Sequence, residues 1–238
     1  EMFGDVLYSP QDLEHPFRPQ SIYAASKCAA HHICRVYRES YRLYVISGIL
    51  FNHESPRRSL NFLPRRVSYN VARIYHALKE KKEFDPLFVG SLDSQRDWSS
   101  AIDFVDGIWR MMNQDVYRTD WDKTKNIDLP NQIKNYILAS GEMHTVRSLI
   151  ELAFSYAKIK GSWHYLDNKT DHLNEIYTKD ETGEILVAID PKLFRPAEVK
   201  KLQGNADLAK KELGWSPKTS FKDLIEGMTE FDIQNYKE

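Results

Sequence analysis

Several features that would narrow a protein's function are missing from this sequence of 238 residues. No apolar run approaches the ~20 residues of a membrane-spanning helix and no signal peptide is present, so we expect no membrane segment. Lys and Arg number 33 against 34 Asp and Glu, and this formal net charge of -1 gives no overall field that favours nucleic acid. The ten glycines are scattered, with neither G-x-G-x-x-G nor G-x-x-G-x-x-G spacing. The phosphate-binding turn of a dinucleotide fold is therefore not in this sequence.

Cysteine is also scarce. Cys28 and Cys34 lie six residues apart in one predicted helix, which is a poor geometry for a disulfide. Reduced thiols indicate a cytosolic protein, so we expect a cytoplasmic location. His31, His32 and His164 lack partners at metal-ligand spacing, and we predict no metal site from them.

The apolar pattern indicates an α/β fold. With 42% hydrophobic residues, the chain can bury the core of one or two domains. A helix is predicted from about 22 to 41, followed by a mostly apolar strand at 43–51 that suits a parallel sheet. We expect one buried helical stripe, made of Ala25, Ala29, Ile33, Val36 and Tyr37.

The rest of the chain continues this alternation. Helices are predicted near 63–81, 98–112, 146–158, 206–213 and 221–235, and strands at 87–89 and 136–139. Residues 160–205 are polar and are predicted to be irregular, apart from a hairpin around 181–183.

Tyr23 and Lys27 carry the clearest chemical signal. Residues four apart share one face of a helix, so the phenol and the ammonium point the same way. A nearby cation favours phenolate over phenol, which makes the tyrosine a usable base. The pair, preceded by Ser/Pro-rich turn residues, resembles the active-site helix of short-chain dehydrogenases/reductases. Such spacing also occurs by chance on solvated helices.

Six further segments extend the resemblance to almost the whole chain. They are residues 1–4 (EMFG), 48–58 (GILFNHESPRR), 90–98 (GSLDSQRDW), 139–142 (ASGE), 194–199 (FRPAEV) and 213–219 (LGWSPKT). Together they resemble the GDP-mannose 4,6-dehydratase family, nucleotide-sugar dehydratases of the extended short-chain dehydrogenase/reductase group. The stretch NHESPRR at 52–58 is the most specific of them.

The resemblance implies a lyase that uses NADP. Tyr23 would take the C4 hydroxyl proton of GDP-mannose, assisted by Lys27, which would also hydrogen-bond the nicotinamide ribose. Glu1 would remove the C5 proton as water leaves from C6, giving GDP-4-keto-6-deoxy-mannose. His53 and Arg58 match positions that touch the cofactor.

The remaining matched positions face the nucleotide sugar. They are Asn52, Arg96, Arg195 and Glu198. A guanidinium can give bidentate, charge-assisted hydrogen bonds to a pyrophosphate, which supports the two arginines.

The resemblance also implies a domain organisation. Residues 1–51 match the latter part of a Rossmann-type doubly wound sheet. Residues 52–238 match mainly a smaller mixed α/β substrate-binding lobe, with about 87–112 returning to the first domain. The family commonly assembles as dimers or tetramers, so we expect a homo-oligomer when the protein is intact.

Parts of the family pattern are missing. The family's catalytic Ser/Thr would lie two residues before Glu1, and the Gly-rich turn is absent. We therefore expect residues 1–238 to be a piece of a longer polypeptide and to be inactive alone. The alternatives are a non-catalytic module that binds GDP-sugars and a related GDP-sugar epimerase or reductase.

Each predicted site residue also has a structural interpretation. His53 could be a strand-end histidine bonded to backbone, and the arginine pair that includes Arg58 could be solvated. Arg96 and Asp97 could form a simple ion pair in a loop, which contributes little at a surface. Arg195, beside a proline in an irregular segment, fits ligand contact better.

Overall fold

The computed structural model describes residues 1–114, 133–166, 172–194 and 201–237. The chain forms two compact units. The first comprises Glu1–His53, Arg96–Met143 and Val199–Thr219, and the second Glu54–Gln95, His144–Glu198 and Ser220–Glu238. The functional division predicted for residues 1–51 and 52–238 stays a prediction.

Helices and strands alternate through the described ranges, as an α/β fold requires. The helices are α1 (Ile22–Tyr41), α2 (Leu63–Glu80), α3 (Ala101–Met112), α4 (Val146–Tyr156), α5 (Asp207–Leu213) and α6 (Phe221–Asn235). The strands are β1 (Gly48–Leu50), β2 (Asn52–Glu54), β3 (Leu87–Val89), β4 (Gln95–Arg96), β5 (Trp98–Ser100), β6 (Tyr136–Leu138), β7 (His144–Thr145), β8 (Gly161–Tyr165), β9 (Glu175–Lys179), β10 (Ile185–Ile189) and β11 (Lys201–Leu202). None of the helices in these ranges has both the length and the apolar character needed to cross a bilayer.

Helix α1 begins and ends where the sequence predicts. Ser21 is its N-cap, because the Ser21 hydroxyl accepts a hydrogen bond of 3.0 Å from the Ala24 amide. The helix stops at Arg42, whose φ of 54° is left-handed.

The buried stripe predicted for α1 is wrong. Ile33, Val36 and Tyr37 are half-exposed or more, and Ala25 and Ala29 are exposed. The face that packs is one residue away and contains Ala24 and Cys28. A step of one residue turns a helix by about 100°, so this small shift in sequence moves the contact to a different face.

The first unit is built on a parallel strand pair. Strands β1 and β6 align Gly48 with Tyr136 and Leu50 with Leu138. Two apolar clusters of this unit contain β6 residues: Phe104, Met111, Tyr136, Leu138, Ala209, Leu213 and Trp215 form one, and Phe3, Ile49, Phe51, Ile137, Ala139 and Leu202 form the other. The predicted helix at 98–112 is shorter than expected, since Ser100 caps it and residues 98–100 form β5.

The second unit contains a four-stranded mixed sheet in the order β3-β10-β9-β8. Strand β10 runs parallel to β3 and antiparallel to β9, and β9 runs antiparallel to β8. The hairpin predicted around 181–183 is confirmed, with Gly183 at a φ of 73°. The irregular structure predicted for the rest of 160–205 is wrong over β8, which pairs with β9 and extends the hairpin into a sheet. Strand β8 is mostly exposed, so it has no apolar pattern to reveal it.

Helices of the second unit pack around α2. Helix α2 contacts both α4 and α6. The buried Asp232 of α6 accepts a hydrogen bond of 2.6 Å from the Ser68 hydroxyl and forms an ion pair with Arg65. The Arg65 Nε also donates to the carbonyl of Pro56 at 2.9 Å, which anchors the turn after β2.

Candidate active site

Tyr23 and Lys27 lie on one exposed face of α1, in the first unit. The Tyr23 side chain is 60% exposed, and the Lys27 Nζ is 5.4 Å from the centre of its ring. This distance is within the range of a cation–π contact. The hydroxyl and the ammonium are thus both open to a ligand that approaches this face.

Glu1 lies beside the start of the same helix. The Ser21 hydroxyl, whose oxygen also caps α1, donates to Glu1 Oε2 at 3.3 Å. The Glu1 carbonyl accepts a hydrogen bond of 3.0 Å from the amide of Gly4. Gly4 has a φ of 54°, and a Cβ there would lie 1.7 Å from the Arg18 carbonyl oxygen, so the turn requires glycine. This turn brings Glu1 to the start of α1, the helix that carries Tyr23 and Lys27.

Arg96 is half-buried and ends β4, at the start of the second segment of the first unit. One unit therefore contains two residues predicted for proton transfer, Glu1 and Tyr23, and one predicted to bind the sugar nucleotide, Arg96.

Asp97 is buried and does not form the surface ion pair considered above. Its side chain is 0% exposed, and its two oxygens accept hydrogen bonds from Ser140, Gly141 and Gly204. Burial raises the pKa of the Asp97 carboxyl, and these hydrogen bonds oppose the shift. Asp97 lies in the segment 90–98 that resembles the family, but the only role considered for it from the sequence is the ion pair.

His53 and Asn52 are consecutive, half-buried residues of β2. The His53 Nδ1 is 2.8 Å from the carbonyl oxygen of Phe51. A carbonyl only accepts, so Nδ1 carries the proton and Nε2 keeps its lone pair. The ring stacks on Phe104 at 4.9 Å between centroids. His53 therefore makes the backbone hydrogen bond expected of a strand-end histidine. This bond fixes the tautomer of the ring and leaves Nε2 able to accept a hydrogen bond.

Arg58 is held by two neighbours in the second unit. Its guanidinium lies 3.5 Å from the centre of the Phe62 ring, and its Nε is 3.3 Å from Glu54 Oε2. Glu54 is 1% exposed on its side chain, and burial raises the pKa of its carboxyl to about 7, with the Arg58 charge opposing. The ion pair favours the ionised carboxylate of Glu54, whereas burial favours the protonated carboxyl. Burial has the larger effect on the pKa, because no group in the described part of the chain hydrogen-bonds Glu54 Oε2.

The second unit also contains a cavity of about 550 Å³ that the sequence reasoning missed. Its lining residues are Arg66, Asn70, Arg73, Asp85, Pro86, Leu87, Phe88, Asp190 and Leu193. The Arg73 guanidinium donates to the Asp85 carbonyl at 2.6 Å and to Asn70 Oδ1 at 3.1 Å. Arg66 and Arg73 are seven residues apart, about two turns of α2, and this spacing could have revealed a cationic face. Arg195 and Glu198 lie outside the described residues.

The comparisons with known proteins agree along nearly the whole chain. The family model described as GDP-mannose 4,6 dehydratase matches residues 1–228. A GDP-mannose 4,6 dehydratase of Drosophila melanogaster is 38% identical over 98% of this chain and 53% of its own length. One of Vibrio cholerae is 37% identical over 98% of this chain and 58% of its own length. The chain thus spans just over half the length of these curated relatives.

The solved structures support the same fold. The structure of RMD from Pseudomonas aeruginosa complexed with NADPH has a TM-score of 0.72 and 19% sequence identity, and the match covers 98% of this chain and 64% of that one. A dTDP-glucose 4,6-dehydratase from Bacillus anthracis in complex with NAD has a TM-score of 0.64 and 18% identity, over 99% of this chain and 59% of that one.

Proposed function

This chain belongs to the GDP-mannose 4,6-dehydratase family, and from that premise we propose that it supplies the proton-transfer residues and the sugar-nucleotide side of such an enzyme. The reaction would convert GDP-mannose to GDP-4-keto-6-deoxy-mannose. One observation carries the proposal: Tyr23 and Lys27 share an exposed helix face, with the Glu1 carboxylate bonded to the N-cap of the same helix.

These three residues have distinct roles in the proposed reaction. Tyr23, as phenolate stabilised by the Lys27 ammonium, accepts the proton of the C4 hydroxyl. A ketone at C4 makes the C5 proton acidic, and Glu1 removes it as water leaves from C6. The Ser21 hydroxyl donates to Glu1 Oε2 at 3.3 Å, which holds the carboxylate beside the start of α1.

We propose NADP as the cofactor, held by Lys27, His53 and Arg58. Each offers a group suited to a nicotinamide nucleotide: an exposed ammonium, an imidazole Nε2 with a lone pair, and a guanidinium. NADP, when bound, supplies the acceptor and later the donor of the hydride that leaves C4 and returns to C6. The Gly-rich turn that binds a pyrophosphate is not among the 238 residues. The residues of this chain therefore suit the nicotinamide end of the cofactor.

We assign the GDP-mannose contacts to Asn52, Arg96, Arg195 and Glu198. Guanidinium groups bind diphosphates through charge-assisted hydrogen bonds, which supports Arg96 and Arg195 as ligands of the pyrophosphate. We also propose that the intact protein is a cytoplasmic homo-oligomer that binds neither nucleic acid nor membrane.

A second candidate is a non-catalytic module that binds GDP-sugars without a cofactor. Such a module would need only the residues assigned to the sugar nucleotide, and none of those assigned to the cofactor. Residues 1–238 alone would then bind the sugar nucleotide and perform no dehydration. The related epimerase or reductase is less favoured, because neither needs Glu1 as a base at C5.

Calorimetric titration of residues 1–238 with GDP-mannose, and separately with NADP⁺, tests the proposal. We expect GDP-mannose to bind and UDP-glucose, the control, to bind more weakly. We expect Arg96→Ala to weaken GDP-mannose binding by on the order of tenfold, since it removes charge-assisted hydrogen bonds. Equal binding of both sugar nucleotides, or of neither, would contradict the assignment of substrate. Formation of the 4-keto product by this chain with NADP⁺ would overturn the expectation that it is inactive alone.

A further inference from the structure

Three segments of the first unit meet at the carboxylate of Asp97. Oδ1 accepts hydrogen bonds from the amide and the hydroxyl of Ser140, at 2.8 and 2.6 Å. Oδ2 accepts from the amides of Gly141 and Gly204, at 2.9 and 3.2 Å. A carboxylate has about four acceptor positions, so the donors around Asp97 use its full capacity.

This arrangement gives Asp97 no free position for a substrate. Its side chain is 0% exposed, and each of its oxygens already accepts two hydrogen bonds. Its main-chain amide is bound as well, because it donates to the Leu202 carbonyl at 3.2 Å. Both the backbone and the side chain of Asp97 are therefore fixed.

Arg96 directly precedes this fixed point. The direction in which a side chain leaves the backbone depends on the backbone angles, so anchoring Asp97 constrains where the Arg96 guanidinium can reach. Arg96 belongs to the same unit as Glu1, the proposed base.

We propose that Asp97 is a positioning residue for Arg96. Its buried carboxylate fixes the backbone directly after Arg96, the last residue of β4, from which Arg96 binds the charged part of the sugar nucleotide. This inference rests on the proposed function, because it assigns Arg96 to the substrate.

The test uses Asp97→Asn and a matched control, Asp103→Asn, in residues 1–238. Asparagine keeps one side-chain oxygen, but an NH₂ donor replaces the other. That donor would face the amides of Gly141 and Gly204, which are donors themselves. Asp103 is a buried carboxylate of the same unit, and it accepts from the amides of Lys218 and Thr219 at 3.1 and 2.9 Å. Both variants lose stability, but only Asp97 adjoins Arg96.

A double-mutant cycle separates positioning from general damage. We expect Asp97→Asn to weaken GDP-mannose binding by on the order of tenfold, and Asp103→Asn to change it less than about twofold. In an Arg96→Ala background, Asp97→Asn should add almost no further loss. Normal binding by Asp97→Asn, or losses that multiply in the double variant, would overturn the proposal.

A second readout does not depend on substrate. The Arg96 Nε–H resonance, assigned by its loss in Arg96→Ala, should shift in Asp97→Asn and stay unchanged in Asp103→Asn. Ser140→Ala removes the donor at 2.6 Å, together with the hydroxyl's bonds to the Glu142 main chain, and keeps the Asp97 carboxylate, so it is a milder variant should Asp97→Asn fail to fold. An unchanged Arg96 resonance in the folded variant would refute the positioning role. If the unmodified chain does not bind GDP-mannose, the proposed function fails, and this resonance still decides whether Asp97 positions Arg96.

Discussion

Glu54→Gln should change the pH dependence of stability. Glu54 is 1% exposed, and its pKa is about 7 against an ordinary value of 4.5. Because the folded state keeps a proton that the unfolded state has lost, the free energy of unfolding falls as the pH rises from about 4.5 to about 7. The loss of unfolding free energy is complete at pH values above the folded-state pKa, and there is no loss at pH values below the unfolded-state pKa.

The size of the effect follows from the shift. Each pKa unit corresponds to about 1.4 kcal/mol, so the shift costs up to about 3 kcal/mol at alkaline pH. Glutamine resembles the protonated acid and does not titrate. It should leave stability nearly unchanged at about pH 4 and raise it by about 1–3 kcal/mol at about pH 8. The lower figure allows for Arg58, which loses its partner at 3.3 Å.

Urea denaturation of both proteins at these two pH values measures the difference. Glu181→Gln is the control, because the Glu181 side chain is 77% exposed and pairs with Lys179 only at 3.6 Å. It should have little effect at either pH. If the gain from Glu54→Gln does not grow with pH, the Glu54 carboxylate is ionised in the folded protein near neutral pH and the reasoning from burial is refuted.

Three other predictions test packing, ion pairing and the proposed chemistry. Gly204→Ala should lower the free energy of unfolding by about 1–3 kcal/mol, because its Cβ would lie 2.3 Å from that of Ala139. Gly227→Ala, where no other atom comes within 4 Å of the Cβ, should raise it by about 1 kcal/mol, and equal urea midpoints for the two would contradict this. Arg147→Lys should cost about 1–3 kcal/mol by the same assay, because lysine cannot make both hydrogen bonds to Glu175, at 2.6 and 3.0 Å; an unchanged midpoint would argue against it. Tyr23→Phe should leave the calorimetric affinity for GDP-mannose within about twofold, since a proton acceptor contributes to the reaction more than to ground-state binding, and a tenfold loss would show otherwise.

The sequence predicts elements best where short-range signals agree. Helix α1 could be delimited because a capping serine precedes a continuous helical run. The parallel strand at 136–138 could be found because all three of its residues are apolar and buried. Strand β8 could not, since its hydrogen bonds to β9 stabilise a mostly exposed segment that contains no buried residue.

The exposed apolar residues of α1 show a different limit. Periodicity reports how much of a helix is apolar, but it does not report which neighbour covers each face. Ile33 and Tyr37 follow the predicted spacing and are nevertheless at least half-exposed, while Arg38 is buried. Arg38 is buried because its guanidinium donates to the Val45 carbonyl and to Asn135 Oδ1, both at 3.2 Å. Asn135 is 97 residues away, so the sequence near Arg38 gives no sign of this partner.

The candidate site shows the same difference between local and long-range signals. Tyr23 and Lys27 could be identified because their relation is one helical turn, which the sequence contains in full. The role of Asp97 depends on Ser140 and Gly204, which are 43 and 107 residues away. Nothing in the sequence around Asp97 indicates either partner, and only the folded unit brings them together. A candidate active-site residue can therefore be proposed from a local motif, whereas a candidate positioning residue such as Asp97 is found only from the contacts of the folded chain.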